Sequence, residues 1–179
     1  MNYVCLRRAR VVMLPMLVVC CSIALRGKTA LAVSSHVGAL QPTYPPGWSM
    51  VGGPAGSGFN AAALLEVYTP KGYEAMASRT VNPCEGFWAF FATASEAYLN
   101  LSAEELAASQ SGHTYSCSLG AGWNLVGNPF ADVAQLPPGE VGYWRDPSNA
   151  GYEVRSDVPL GGAVWIYSST VSAVTLTAA

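Results

Sequence analysis

Gly122-Trp123-Asn124-Leu125-Val126-Gly127 repeats an earlier stretch, Gly47-Trp48-Ser49-Met50-Val51-Gly52, position for position. Pro54 and Pro129 follow the two stretches in the same register, and Tyr68 matches Tyr143. Gly72-Tyr73-Glu74 returns as Gly151-Tyr152-Glu153 slightly later in its copy, so the second copy carries a short insertion in between. Trp88 and Phe90 then match Trp165 and Tyr167, and Leu99 matches Leu176 in the same register. Ordered matches with so little drift indicate a duplicated unit, which bears on architecture rather than on any one activity.

Each copy reads as short strands. The Gly-Trp stretches are brief apolar runs bounded by turn residues. Glu66–Thr69 and Tyr73–Ala77 flank Pro70-Lys71-Gly72, a hairpin turn by composition. Val141–Arg145 and Tyr152–Arg155 flank a longer loop over residues 146–151. Phe87–Phe91 and Ala163–Tyr167 are the most apolar runs, and alternation puts Trp88 with Phe90, and Trp165 with Tyr167, on one face of each. Tyr115–Leu119 and part of Val37–Tyr44 precede the Gly-Trp stretches; Tyr98–Leu101 and Val174–Thr177 close the copies. Helix is scarce: Asn60 is placed to cap a turn through Ala61–Leu65, and Ser102 with Glu105 has capping-box spacing ahead of Leu106–Ser109, with Gly112 beyond. The expected fold is all-β. Two repeats, about 40–101 and 115–177, joined by a connector at 102–114, share one core across a pseudo-twofold axis as a β-sandwich or closed barrel. A single copy of this size would bury too little surface to stand alone.

The N-terminal segment, 1–32, reads as a secretory signal. Arg7, Arg8 and Arg10 precede an apolar run, Val11–Leu25, that includes Pro15, and Ala30-Leu31-Ala32 offers small residues for cleavage after Ala32. The run is shorter than the roughly 18–20 residues of a membrane-spanning helix. A retained anchor or a lipid on Cys20 or Cys21 are the alternatives. Cleavage leaves Lys71, Arg79, Arg145 and Arg155 against all eleven acids, a formal charge of −7. Such a chain lacks the basic footprint of a nucleic-acid binder, and it disfavours anionic lipid. The mature chain, 33–179, contains no stable membrane span. Of five cysteines only Cys84 and Cys117 remain. In an oxidising compartment this even pair is expected to form a disulfide joining the copies, the alternative being two buried thiols that pack as small apolar groups.

Gly122-Trp123-Asn124-Leu125-Val126-Gly127-Asn128-Pro129-Phe130 resembles the GWNLVGNP repeat units of bacterial secreted and cell-surface proteins. Tyr143-Trp144 with Asp146-Pro147 and Tyr152 is similar to the Tyr-rich hairpin of those units, and Pro159-Leu160-Gly161-Gly162-Ala163-Val164-Trp165 to their Gly-rich approach to a Trp strand. The resemblance covers about residues 40–177. The first copy departs from it at Ser49, Gly53 and Cys84-Glu85. It implies an extracellular, mostly β accessory module and carries over no catalytic residue.

Catalytic chemistry finds little support. His36 and His113 stand alone, without a nucleophile elbow. Gly53-Pro54-Ala55-Gly56-Ser57-Gly58 lacks the Lys-Ser/Thr of a phosphate loop. No metal site or cofactor motif is apparent: residues 146–157 only distantly match a calcium loop, with Ala150 at its fifth position. Glu74 and Glu153 are repeat mates, and a facing carboxylate pair would suit glycoside hydrolysis. Repeated aromatics are expected to build the core and unrepeated ones to reach the surface; Phe130 and Trp144 are of the second kind. The expected role is non-catalytic, structural or interactive, with a cell-surface protein or polysaccharide as partner. A carbohydrate-binding module using Trp144, Tyr152 and Tyr73 is the first alternative, and a small hydrolase using the two glutamates the second.

Overall fold

A computed structural model of the chain describes residues 42–76, 78, 80–147 and 151–179. The expected signal (1–32), residues 37–41 of the first expected strand, His36 and residues 148–150 of the long loop lie outside the described residues.

The described residues form an all-β, antiparallel structure with one short helix. β1 (Thr43–Tyr44) pairs with β6 (Ser95–Glu96). The first four-stranded sheet contains β2 (Gly47–Val51), β3 (Leu64–Thr69), β4 (Gly72–Ala75) and β5 (Phe87–Phe91), in the order β2-β5-β3-β4. The second contains β8 (Gly122–Gly127), β10 (Gly142–Arg145), β11 (Tyr152–Arg155) and β13 (Ala163–Ser168), in the order β8-β13-β10-β11. The third contains β7 (Thr114–Leu119), β9 (Ala134–Gln135), β12 (Asp157–Val158) and β14 (Ser172–Ala178), in the order β12-β9-β14-β7. All three four-stranded sheets are open ladders with two edges, so none closes into the barrel that the sequence allowed.

Helix α1 (Ala103–Ala108) lies in the connector, and Ser102 Oγ caps it by accepting from the Glu105 amide at 3.3 Å. No helix among the described residues is long and apolar enough to cross a membrane. The helical turn expected after Asn60 stops at once. Ala62 donates to Phe59 O, but Ala63 donates to Phe90 O and the chain enters β3. Pairing Leu65 with buried Ala89 outweighs one more helical bond. Tyr98–Leu101 is not a strand either. Tyr98 exchanges two backbone bonds with Gly58, and Asn100 then turns away to donate its amide to Ser57 Oγ at 2.9 Å.

Strand alternation sorts the core into three clusters. Phe87, Ala89 and Phe91 face inward with Val51, Leu65, Phe59 and Leu99. Val164 and Ile166 face the third sheet, meeting Cys117, Leu119, Val174 and Leu176. Met50, Trp88, Ala163 and Trp165 form the third cluster, between the first and second sheets. Phe130, expected near the surface, is buried in the second of these clusters. The bond that places it comes from Asn128, whose Oδ1 accepts from the Phe130 amide while Nδ2 donates to Asp132 O and Val158 O.

Two glycines bring the first and second sheets together. Gly52 and Gly127 end the paired Gly-Trp stretches, and a methyl group on Gly52 would sit 2.5 Å from Gly127 Cα. On the far side Gly127 donates to Cys84 O, and Asn128 donates to Gly162 O. Cys84 and Cys117 form the expected disulfide, 5.6 Å between Cα atoms, linking the approach to β5 with β7. A cross-link over a loop of this length stabilises by about 3–4 kcal/mol in the chain-entropy account.

Gly127→Ala drives a Cβ into the Glu85 backbone, which cannot rotate away as a side chain would. The substitution is expected to cost about 3 kcal/mol, read as a lowered midpoint in urea unfolding. Tyr44 is buried and donates its hydroxyl to Gly161 O at 2.7 Å, and burial holds its phenol well above the ordinary tyrosine range. The folded state therefore resists an ionisation that the unfolded chain undergoes near pH 10. Stability is full below that pH and falls as the pH rises above it. Urea titrations between pH 8 and 11 should show this decline, and Tyr44→Phe should flatten it.

Candidate functional site

The hairpins β3–β4 and β10–β11 carry the first and second sheets past their shared contact, so the facing surfaces diverge into an open cleft. Register decides which side chains enter it. Tyr68 pairs with Tyr73 across the first hairpin, their rings 5.4 Å apart. Arg145 pairs with Tyr152 across the second, and Tyr143 with Trp165 on the neighbouring strand. Trp123 pairs with Tyr167 farther along. Paired residues share a face, so Tyr68, Tyr73, Tyr143, Tyr152, Trp123 and Trp165 line one lobe of about 510 Å³.

The rings hold one another edge to face. Tyr68 of the first sheet meets Trp165 of the second at 5.1 Å and 87°. Trp123 meets Tyr143 at 5.5 Å and 79°. Trp165 is closed in at 8% exposure, whereas Tyr73 and Tyr152 stand at the mouth with 54% and 53% exposed. Half-exposed aromatics gathered in one hollow form the kind of patch that soluble proteins otherwise avoid.

A second lobe of about 290 Å³ shares Tyr73 and Tyr152 and adds Trp48, Trp88, Glu66 and Arg145. Here the walls carry charge. Arg145 lies over the Trp88 ring, 5.9 Å from its centroid, and its guanidinium donates a long 3.4 Å bond to Trp48 O. Its backbone amide donates to Met50 Sδ, which ties β10 to β2. Trp88 Nε1 is buried without a hydrogen-bond partner. Its N–H lies close enough to the Tyr73 hydroxyl to oppose a rise in that phenol's pKa. Partial burial dominates, and with Tyr152, Tyr68 and Glu66 nearby it moves Tyr73 above the ordinary tyrosine value.

The structure brings Tyr73 and Tyr152 together but separates them from Trp144. Trp144 follows Tyr143 on β10, so it turns to the other face, opposite Glu153. There it packs against two of the buried clusters, and the Arg155 guanidinium covers its ring at 5.2 Å. Arg155 is held in turn by a fork of bonds to Asp157, at 3.0 and 2.8 Å. Glu74 and Glu153 obey the same rule. Each follows a cleft tyrosine, so each points away from the cleft. Glu74 accepts from Thr69 Oγ1 at 3.0 Å, and Glu153 lies 4.0 Å from Arg155. They do not form the facing pair considered for hydrolysis.

Assigning repeated aromatics to the core holds for Trp88 and Trp165 but not for Trp123 or Tyr68, which are 48% and 41% exposed. The inter-sheet face is closed at its centre and open at its mouth, and one periodicity supplies both regions. Glu66, Arg145, Trp123, Tyr68 and Tyr143 were missed as site residues. The signal for them was present in part, since Tyr68 and Tyr73 flank a tight turn and must share a face.

Comparison with protein-family models, curated proteins and solved structures finds no match to this chain.

Trp144→Ala is expected to act on stability rather than on the cleft, costing about 3 kcal/mol through the void left under Arg155. Chemical unfolding should show this loss. Fluorescence quenching of the cleft tryptophans by iodide should stay unchanged in the folded protein.

Proposed function

We propose that this protein is an extracellular, non-catalytic β module that binds carbohydrate in the aromatic cleft between its first and second sheets. The observation that carries this reading is the first lobe, where both sheets contribute rings to one hollow and Tyr68, Tyr73, Trp123 and Tyr152 stay about half exposed. A pyranose presents C–H groups on its faces and hydroxyls around its rim. Aromatic faces cover the former, and phenol and indole edges bond the latter. Preformed rings held by their neighbours lose little conformational freedom on binding.

The finer architecture belongs to the same proposal. The two units are duplicates that face each other, and each supplies matching walls: Trp48 and Trp88 to one lobe, Trp123 and Trp165 to the other, with Tyr73 and Tyr152 where the lobes meet. The identical strand order in the first and second sheets supports this reading. The likeness to GWNLVGNP units and the signal-like N-terminal segment support an extracellular setting. Purely structural packing within a surface layer is the weaker reading, because it leaves the open rings unused. A hydrolase is not proposed, since neither Glu74 nor Glu153 lines either lobe.

The test is retention on insoluble polysaccharides, followed by titration with soluble oligosaccharides from whichever surface retains the protein. Tyr152→Ala should weaken binding roughly tenfold, about 1.5 kcal/mol, without moving the unfolding midpoint by a comparable amount. Trp144→Ala should lower stability yet leave the folded protein's affinity intact. Equal affinity of wild type and Tyr152→Ala would reject the cleft as the site.

A further inference from the structure

We infer that the second lobe selects an uncharged saccharide, one hydroxyl-rich ring of which bridges Glu66 on one sheet and Arg145 on the other. The inference rests on the carbohydrate reading above and deepens it to a ligand class.

Glu66 and Arg145 line the same hollow from opposite sheets but form no ion pair with each other or with another described residue. The contrast with Arg155 is direct: that guanidinium is already engaged by Asp157. A carboxylate acceptor and a guanidinium donor are thus held apart across a gap, with open hydrogen-bonding capacity toward it. Each candidate ligand charge conflicts with one of them. A uronate gains Arg145 and meets Glu66. A quaternary ammonium gains Glu66 and the aromatic walls but meets Arg145. A neutral ring satisfies both, donating one hydroxyl to Glu66 and accepting at another from Arg145. Such charge-assisted bonds outweigh neutral ones.

A second observation points into the same lobe. Trp88 is 8% exposed, and its indole N–H approaches the Tyr73 hydroxyl without completing a well-formed hydrogen bond. A buried donor with so poor a bond is costly, and a ligand that improves the bond lowers that cost. The Tyr73 hydroxyl lies close by, on a hairpin where the tyrosine itself is half exposed. A ligand that stacks on Tyr73 and fixes it allows that hydroxyl to accept from Trp88 and donate outward. Trp88 is then a positioning residue, acting through Tyr73. The two lobes together give the site a direction: one sugar lies in the aromatic lobe and its neighbour bridges the charged pair.

Isothermal titration of the purified protein with neutral hexasaccharides (β-glucan, xylan and chitin series), hexagalacturonate and choline tests this. A neutral series should bind, with hexagalacturonate and choline at least tenfold weaker. Glu66→Gln and Arg145→Gln should each weaken the neutral ligand about tenfold. Glu66→Gln should also narrow the gap to hexagalacturonate, a readout that general loss of structure would not produce. Trp88→Phe, which keeps an aromatic ring and removes the N–H, should weaken binding in Tyr73-containing protein but not in a Tyr73→Phe background. Hexagalacturonate or choline binding as tightly as every neutral series would overturn the inference while leaving the cleft reading in place, provided Tyr152→Ala weakens that binding about tenfold. Failure of all the probes, with the fold intact, would overturn both.

Discussion

The backbone contact between Gly52 and Gly127 is the constraint on which the rest depends. Neither position tolerates a side chain, because each faces main-chain atoms of the other sheet or its approach rather than a movable group. That contact lets Gly52 donate to Gly161 O and Gly86 donate to Leu125 O, and it brings Gly127 to Cys84 O. Isolated bridges Val51–Gly162 and Glu85–Val126 form beside it. The sheets are therefore joined by hydrogen bonds at one end as well as by side-chain packing. The disulfide fastens the same region, since Cys84 is both the acceptor for Gly127 and the partner of Cys117.

Close approach at one end implies divergence at the other. Twisted sheets pinned through glycine at one point separate as their strands run on, and bulky residues must fill the widening space. Met50, Ala163, Trp88 and Trp165 fill it near the pin. Beyond them the hairpins extend past the point where packing can close the gap, and the aromatic face opens to solvent. The same alternation that buries Trp88 exposes Tyr73, and the cleft is a geometric continuation of the core. Trp144 lies on the other face of its strand for the same reason, half-buried against two of the clusters although nothing in the repeat marks it so.

The sequence displayed the strands more clearly than their partners. Phe87–Phe91 was legible to the residue because its apolar run starts directly after Gly86. Both hairpins were legible from turn composition, and Ser102 from its cap spacing. The cleft was half legible. Tyr73 and Tyr152 stood out as repeat mates at hairpin strands, but pairing them with Trp144 ignored the period of two that separates adjacent residues. Glu66 and Arg145 were hidden for a different reason. They lie on strands of different sheets, far apart in sequence, and only the packing of one sheet on another brings them to one hollow. Phe130 was misread because its burial depends on Asn128, whose counterpart in the first stretch is Gly53.

Those unmatched positions give the two Gly-Trp stretches different local bonds. Asn124 latches the turn before β8 by bonding Gly120 through both its amide and its carbonyl oxygen. Ser49 stands at the same place in the first stretch and is too short to do so, and its hydroxyl is buried without a partner. Asn128 organises the chain after β8, while Gly53 leaves room for Ser57, which bonds Asn100 instead. The second stretch thus carries the side-chain bonds that fix its own turns, and the first relies on neighbours. The unpaired polar atoms follow the same division: Ser49 Oγ and Trp88 Nε1 both belong to the first sheet, and Trp88 lines the charged lobe. On the proposed reading a bound sugar engages Trp88, the one of the two that lines the cleft.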